Sequence, residues 1–215
     1  VYDTRGRLVQ VTEGTGAEAR VATATYDAGG RLASVTYPLA HQVTYGYDQA
    51  SRVTQQTLPG GRVLAFGYDL GGNVTSLTPP GRPSHTFGYS PVNLTSRITA
   101  PASSGGNSSE TISVYNLDRQ LTQVTRPGGQ LVTLSHDAAG RLDALALARG
   151  TLSFGYDASS GKLALASSPD NVHLAYTWDG VLPTGTTWSG AIQGNVAHTY
   201  DNDFRVVGQS VSGAT

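Results

Sequence analysis

The residues best placed to do chemistry in this chain are carboxylates beside aromatic rings. Asp3, Asp27, Asp48, Asp69, Asp157 and Asp201 each follow a tyrosine, and Asp137 follows His136. An aspartate next to a phenol or an imidazole could serve as a general acid or base. Such work needs a paired partner and an environment that shifts its pKa. Seven of the 12 aspartates share this one context, and seven equivalent sites are not seven active sites. A carboxylate can also accept backbone N–H bonds from the residues just after it and so close a turn. Turn capping is therefore the expected role.

Other chemistry is sparse. The five histidines, His41, His85, His136, His173 and His198, form no His-x-His or His-x3-His metal pair. His136 reads as an aromatic substitute in a tyrosine slot. Asp201 and Asp203 have the acidic spacing of a calcium loop, but its glycine and distal glutamate are missing. Cysteine is absent, so there is no thiol nucleophile, disulfide framework or thiolate zinc site. No phosphate-binding glycine motif or nucleophile elbow occurs. The expectation is no catalytic, cofactor-binding or metal-binding residue, and no enzyme. A net charge of -1 with 13% charged residues carries no basic patch for nucleic acid. No long apolar run argues for membrane insertion by this segment.

The aspartates belong to a repeat that fills the whole chain, residues 1–215. Its anchors are Tyr2, Tyr26, Tyr47, Tyr68, Tyr89, Tyr115, His136, Tyr156 and Tyr200, and four of the gaps between neighbours are 21 residues. A degenerate copy at "YTWDGVLP" is anchored by Tyr176 or Trp178. Each copy carries two turn signals. The first is Asp-x-x-Gly, whose glycines include Gly6, Gly30, Gly72 and Gly140. The second is Pro-Gly-Gly or a relative, as in Pro59-Gly60-Gly61 and Pro127-Gly128-Gly129. A basic residue recurs after the first turn: Arg7, Arg31, Arg52, Arg141 and Arg205, with Lys162 in a displaced copy. A guanidinium there could lie on a neighbouring tyrosine ring, at ~0.5–2 kcal/mol per contact.

Between the turns lie strand-length segments with period-two alternation. "VLAFGYD" puts Leu64, Phe66 and Tyr68 on one face. "RVTQQTLP" alternates Val53, Gln55 and Thr57 against Thr54, Gln56 and Leu58. The predicted fold is all-β: about ten antiparallel hairpins of ~21 residues pair edge to edge into a curved, spiralling sheet with an aromatic stripe and a polar second face. Segment 99–111, rich in Ser and Gly, reads as an exposed loop. The chain starts inside a repeat and lacks methionine, so it reads as a segment of a longer protein.

Tyr-Asp-x-x-Gly-Arg-Leu at this spacing resembles the YD repeat of the RHS family, as does the stretch "FGYSPVNLTSRITAPAS". The resemblance implies a hollow β shell. In bacterial toxin complexes and RHS toxins such a shell encloses a cytotoxic C-terminal region, and in teneurins it belongs to an adhesion ectodomain. RHS toxins also carry an aspartyl autoprotease marked by Asp-Pro pairs. This chain has only the reversed Pro169-Asp170, so no autoproteolytic site is carried over. The expectation is a secreted or surface-exposed bacterial wall segment whose partners are further repeats and cargo of its own chain. The alternative is an adhesion or glycan-binding module, with Trp178 and Trp188 as candidate binding residues, or a self-assembling fibre.

Overall fold

Segments such as "VLAFGYD" are rich in β-branched and aromatic residues, end at a turn residue, and fold as strands. The computed structural model describes residues 1–101 and 109–213. The chain divides into two units, Val1–Glu110 and Thr111–Thr215. The first contains β1 (Gln10–Glu13), β2 (Arg20–Tyr26), β3 (Leu32–Tyr37), β4 (His41–Tyr47), β5 (Val53–Leu58), β6 (Arg62–Tyr68), β7 (Val74–Thr78), β8 (His85–Tyr89) and β9 (Thr95–Thr99). Next come β10 (Glu110–Tyr115), β11 (Leu121–Thr125), β12 (Leu131–His136), β13 (Leu142–Leu147) and β14 (Gly150–Tyr156). The second unit ends with β15 (Leu163–Ser167), β16 (His173–Asp179), β17 (Leu182–Ser189), β18 (Gly194–Tyr200) and β19 (Val206–Gly213).

From β1 to β9, and again from β10 to β19, each strand pairs antiparallel with the next. The all-β hairpin array is thus present. Nineteen strands are found among the described residues instead of twenty, because the first strand of the first hairpin is reduced to a single Tyr2–Leu8 bridge. Of segment 99–111, Thr99 ends β9 and Glu110 and Thr111 open β10, while residues 102–108 lie outside the described residues.

The register corrects the expected faces of β5. Tyr47 opposes Val53, Gly46 opposes Gln55 and Tyr45 opposes Gln56. One extra residue on β5 makes a β-bulge, so Val53 joins Gln56 and Leu58 on the tyrosine face while Gln55 and Thr57 take the other. The same one-residue shift recurs in nine hairpins, each time at the residue in the tyrosine slot. The step before that slot is crowded. A Cβ on Gly67 would collide with Ser76 Oγ, and one on Gly208 would meet Thr199 Oγ1 at 2.6 Å.

The sheet in each unit has little core. Only Val43 and Val132, each 8% exposed, and Ser34 at 7% are buried among the described residues. Polar pairs run across the second face, as in Thr25–Ser34, Ser34–Thr44 and Thr44–Thr57. Cohesion must therefore come from the ladder and from the hairpin ends rather than from a second packed layer.

The turns at the far ends of the hairpins use positive φ. Gly60 and Gly61 sit at φ 81° and 73° after Pro59. The equivalent turn after Pro38 places Leu39 and Ala40 at φ 66° and 58°. A side chain there strains the backbone by about 1–2 kcal/mol, and Leu39, 88% exposed, gains no burial in return. Leu39→Gly is expected to stabilise the protein by about 1 kcal/mol. Calorimetry should show the thermal midpoint rise by roughly 2–4 °C; an unchanged or lower midpoint would refute the strain.

Candidate functional site: a lock between successive hairpins

Each Tyr-Asp pair stands where one hairpin begins its first turn. Asp27 N donates to Arg31 O at 2.8 Å, and Gly30 N donates to Asp27 O at 2.9 Å. Gly30 takes φ 82°. This is the three-residue hairpin loop closed by a left-handed residue. The carboxylate fixes it from within. Asp27 Oδ1 accepts from Arg31 N at 2.9 Å, and Oδ2 accepts from Arg31 Nε at 2.7 Å. Asp3, Asp48 and Asp137 hold Arg7, Arg52 and Arg141 in the same way.

An arginine so held projects onto the next hairpin. Arg7 lies 4.4 Å from the centroid of the Tyr26 ring, Arg31 4.6 Å from Tyr47, Arg52 4.6 Å from Tyr68, and Arg141 4.3 Å from Tyr156. Arg52 Nη1 also donates to Asp69 O at 2.7 Å, and Arg31 Nη1 donates to Asp48 O at 3.1 Å. The tyrosine answers in the other direction. Tyr68 Oη donates to Val53 O at 2.8 Å, the carbonyl of the residue after Arg52. Tyr26, Tyr47, Tyr89, Tyr156 and Tyr200 do the same to Leu8, Leu32, Val74, Leu142 and Pro183. Except for Leu8, which sits in an isolated bridge with Tyr2, the accepting residue lies at the bulge, where the ladder is locally disrupted. Burial pushes the pKa of the Tyr47 hydroxyl up, which keeps it a donor.

The lock tolerates substitution where hydrogen-bonding sense is kept. Trp178 takes the tyrosine slot of the degenerate copy: its indole N–H donates to Leu163 O at 2.8 Å, and Lys162 Nζ lies 5.3 Å from its ring centroid. Sequence reading left Tyr176 and Trp178 as equal choices for this anchor. The discriminating signal is the position directly before Asp179, since Tyr-Asp becomes Trp-Asp. Asn73 replaces arginine at one lock, binding Asp69 Oδ2 and Asn93 Oδ1 through its Nδ2. Gln120 replaces it at another, donating Nε2 to Gly140 O at 2.8 Å. Ser90 and Asn116 stand in for the aspartate, accepting from Leu94 N and Gln120 N. Asp157 is filled by the backbone N–H and hydroxyl groups of Ser159 and Ser160. His136 faces Leu142 across the ladder, in register with the tyrosines.

Trp178 also lines an open concavity of about 470 Å³ with Asp157, Ser160, Lys162 and Tyr176. Trp188 opposes Leu174 and Gly194, and a Cβ on Gly194 would collide with its ring. Among the described residues no three of His, Asp and Glu gather into a metal-sized cluster.

The donors around the aspartates lower their pKa values. For Asp27 and Asp48 the main cause is the backbone N–H of Arg31 or Arg52; for Asp137 it is the Arg141 side chain, and for Asp69 the Asn73 amide. A carboxylate with a depressed folded pKa stabilises the fold above its unfolded value of ~3.9, and this is lost as pH falls through the folded value. The thermal midpoint should thus stay level from about pH 7 to 5 and fall below about pH 4. Asp48→Asn should make that fall shallower. A midpoint unchanged down to about pH 2 would contradict the capping role.

The family model of the teneurin YD shell matches residues 1–214. Similar folds occur in a TcdB2–TccC3–Cdc42 crystal structure, with a TM-score of 0.51 and 15% identity over 100% of this chain and 15% of that chain. A TcdB2–TccC3 crystal structure gives a TM-score of 0.52 and 14% identity over 100% of this chain and 16% of that one. A Photorhabdus luminescens Tc holotoxin pore carrying a TccC3 mutation gives 0.50 and 14%, over 99% and 15%. At such identity the likeness is one of fold, and this chain spans only a small part of each of those chains. No curated protein sequence matched. With the Tyr-Asp lock running through the array and the family match covering nearly every residue, the chain belongs to the Teneurin YD-shell family.

Proposed function

We propose that this chain is a non-catalytic wall segment of a YD-repeat shell that encloses another part of the same, longer polypeptide, a toxin or other cargo, outside a bacterial cell. The observation that carries this reading is a sheet in each unit held by end locks, with almost no buried core. A chain built that way is a surface-maker: every added hairpin extends area instead of thickening a globule. The second face, with Thr25, Thr44, Gln55 and Thr57, offers few apolar side chains for an enclosed chain to adhere to. The Tc-complex structures that share the fold support a setting in a toxin assembly. Glycan binding is the weaker reading, because the Trp178 indole and the Trp188 ring are both engaged within the sheet.

Limited proteolysis of the parent polypeptide tests containment. The cargo segment is expected to survive protease in the wild type and to be cut at least tenfold faster once locks are removed by Arg52→Ala with Arg141→Ala. Cargo cut equally fast in both proteins would exclude enclosure.

A further inference from the structure

One turn inside the array departs from the lock pattern in its covalent chemistry. β16 and β17 pair as far as Asp179 opposite Leu182, so only Gly180 and Val181 connect them. This is the two-residue hairpin loop with glycine at its first central position, and Gly180 takes φ 53°. Asp179 and Gly180 are both exposed, and a Cβ added to Gly180 would meet nothing within 4 Å. Asp179-Gly180 is the one Asp-Gly pair in the chain. The aspartates of the Tyr-Asp and His-Asp pairs differ on two counts. Each accepts a backbone N–H from a later turn residue through Oδ1, and each precedes a residue that has a Cβ, as in Asp27-Ala28 and Asp48-Gln49. Asp143, Asp170 and Asp203 pair with Ser135, Arg149 and Arg205. Among the described residues no group hydrogen-bonds or ion-pairs with the carboxylate of Asp179 or of Asp118, and Asp118 precedes Arg119.

We propose that Asp179-Gly180 is a site of spontaneous isoaspartate formation, a modification that loosens the β16–β17 hairpin as the protein ages. Both reacting groups are in the chain, so the step is intramolecular. The Gly180 nitrogen attacks Cγ of the neutral Asp179 carboxyl group. A C–N bond forms, and the carboxyl hydroxyl leaves with the amide proton as water. The resulting succinimide ring then takes one water back. Opening at the Asp179 main-chain carbonyl leaves the backbone running through Cγ, as isoaspartate. The net change is an isomerisation that needs no oxidant or co-reactant beyond water. Glycine favours the attack, because its backbone turns freely and no side chain crowds its nitrogen. At the lock aspartates the bound donors favour the carboxylate anion, which is the unreactive form, and hold it against the turn. Isoaspartate adds one methylene to the main chain inside the shortest of hairpin loops. The flanking residues carry a seam on each side. Trp178 Nε1 donates to Leu163 O at 2.8 Å, and Pro183 O accepts from Tyr200 Oη at 2.8 Å. One extra backbone atom therefore disturbs two seams at once. This inference stands apart from the shell-wall reading.

The test incubates the full 215-residue chain, folded, for weeks at neutral pH in water enriched in heavy oxygen. Peptide mapping with electron-transfer fragmentation then separates isoaspartate from aspartate at each site. Isoaspartate carrying heavy oxygen should build up at residue 179 at least about tenfold faster than at Asp118 or Asp48. Gly180→Ala should slow it by about tenfold. Asp179→Glu, whose ring would be one atom larger, should abolish it. The thermal midpoint of the wild type should fall in step with the isoaspartate fraction, while aged Asp179→Glu keeps the midpoint of the fresh variant. Aspartate retained at residue 179, equal rates at Asp118, or conversion only after unfolding in urea would overturn the site. A midpoint unchanged after conversion would overturn the loosening of the hairpin.

Discussion

A β-bulge beside a turn disturbs the ladder at a carbonyl, and this protein depends on how that carbonyl is satisfied. The carbonyls of Leu8, Leu32, Val53, Val74, Leu142, Leu163 and Pro183 each accept a hydrogen bond from the tyrosine or tryptophan of the following hairpin. Each such bond ties a hairpin to the one before it at a fixed carbonyl. The aspartate then prevents the turn from opening, and the arginine spans the seam by pairing with its own aspartate and stacking on the next ring. Tyr-Asp is thus one joint with two halves that serve different neighbours.

The joint matters because little else is available. A domain with two layers is stabilised chiefly by apolar burial between them. Here only three of the described residues are buried, and large apolar side chains such as Leu70, Leu117 and Val181 stand in solvent at turns. Stability is then close to a sum of hairpins and nearest-neighbour seams, as in repeat proteins generally. Such a sum tolerates weak members. The replacements at Asn73, Gln120, Lys162 and Trp178 keep a donor where a donor is needed and give up part of the cation–ring contact.

Much of this was legible in the sequence because period-two alternation and the ~21-residue spacing are local signals. The hairpins, the capping aspartates and the stacking of arginine on the next tyrosine all follow from residue type and distance along the chain. The bulge was not legible. It follows no composition rule at Thr54, and it flips Val53 onto the tyrosine face, which strict alternation forbids. The tyrosine-to-carbonyl bond was hidden for the same reason, since its acceptor is backbone. Leu39 was missed because a left-handed turn ordinarily announces itself through glycine, and here leucine and alanine bear the strain.

The central claim is that seams are held by coupled arginine and tyrosine side chains, and a double-mutant cycle measures it most directly. Arg52→Leu and Tyr68→Leu, made singly and together, should be non-additive in urea unfolding by about 0.5–2 kcal/mol. The pair Arg52→Leu and Tyr156→Leu, drawn from different locks, should be additive within about 0.5 kcal/mol. Additivity at the shared lock, or equal coupling in both pairs, would contradict the account.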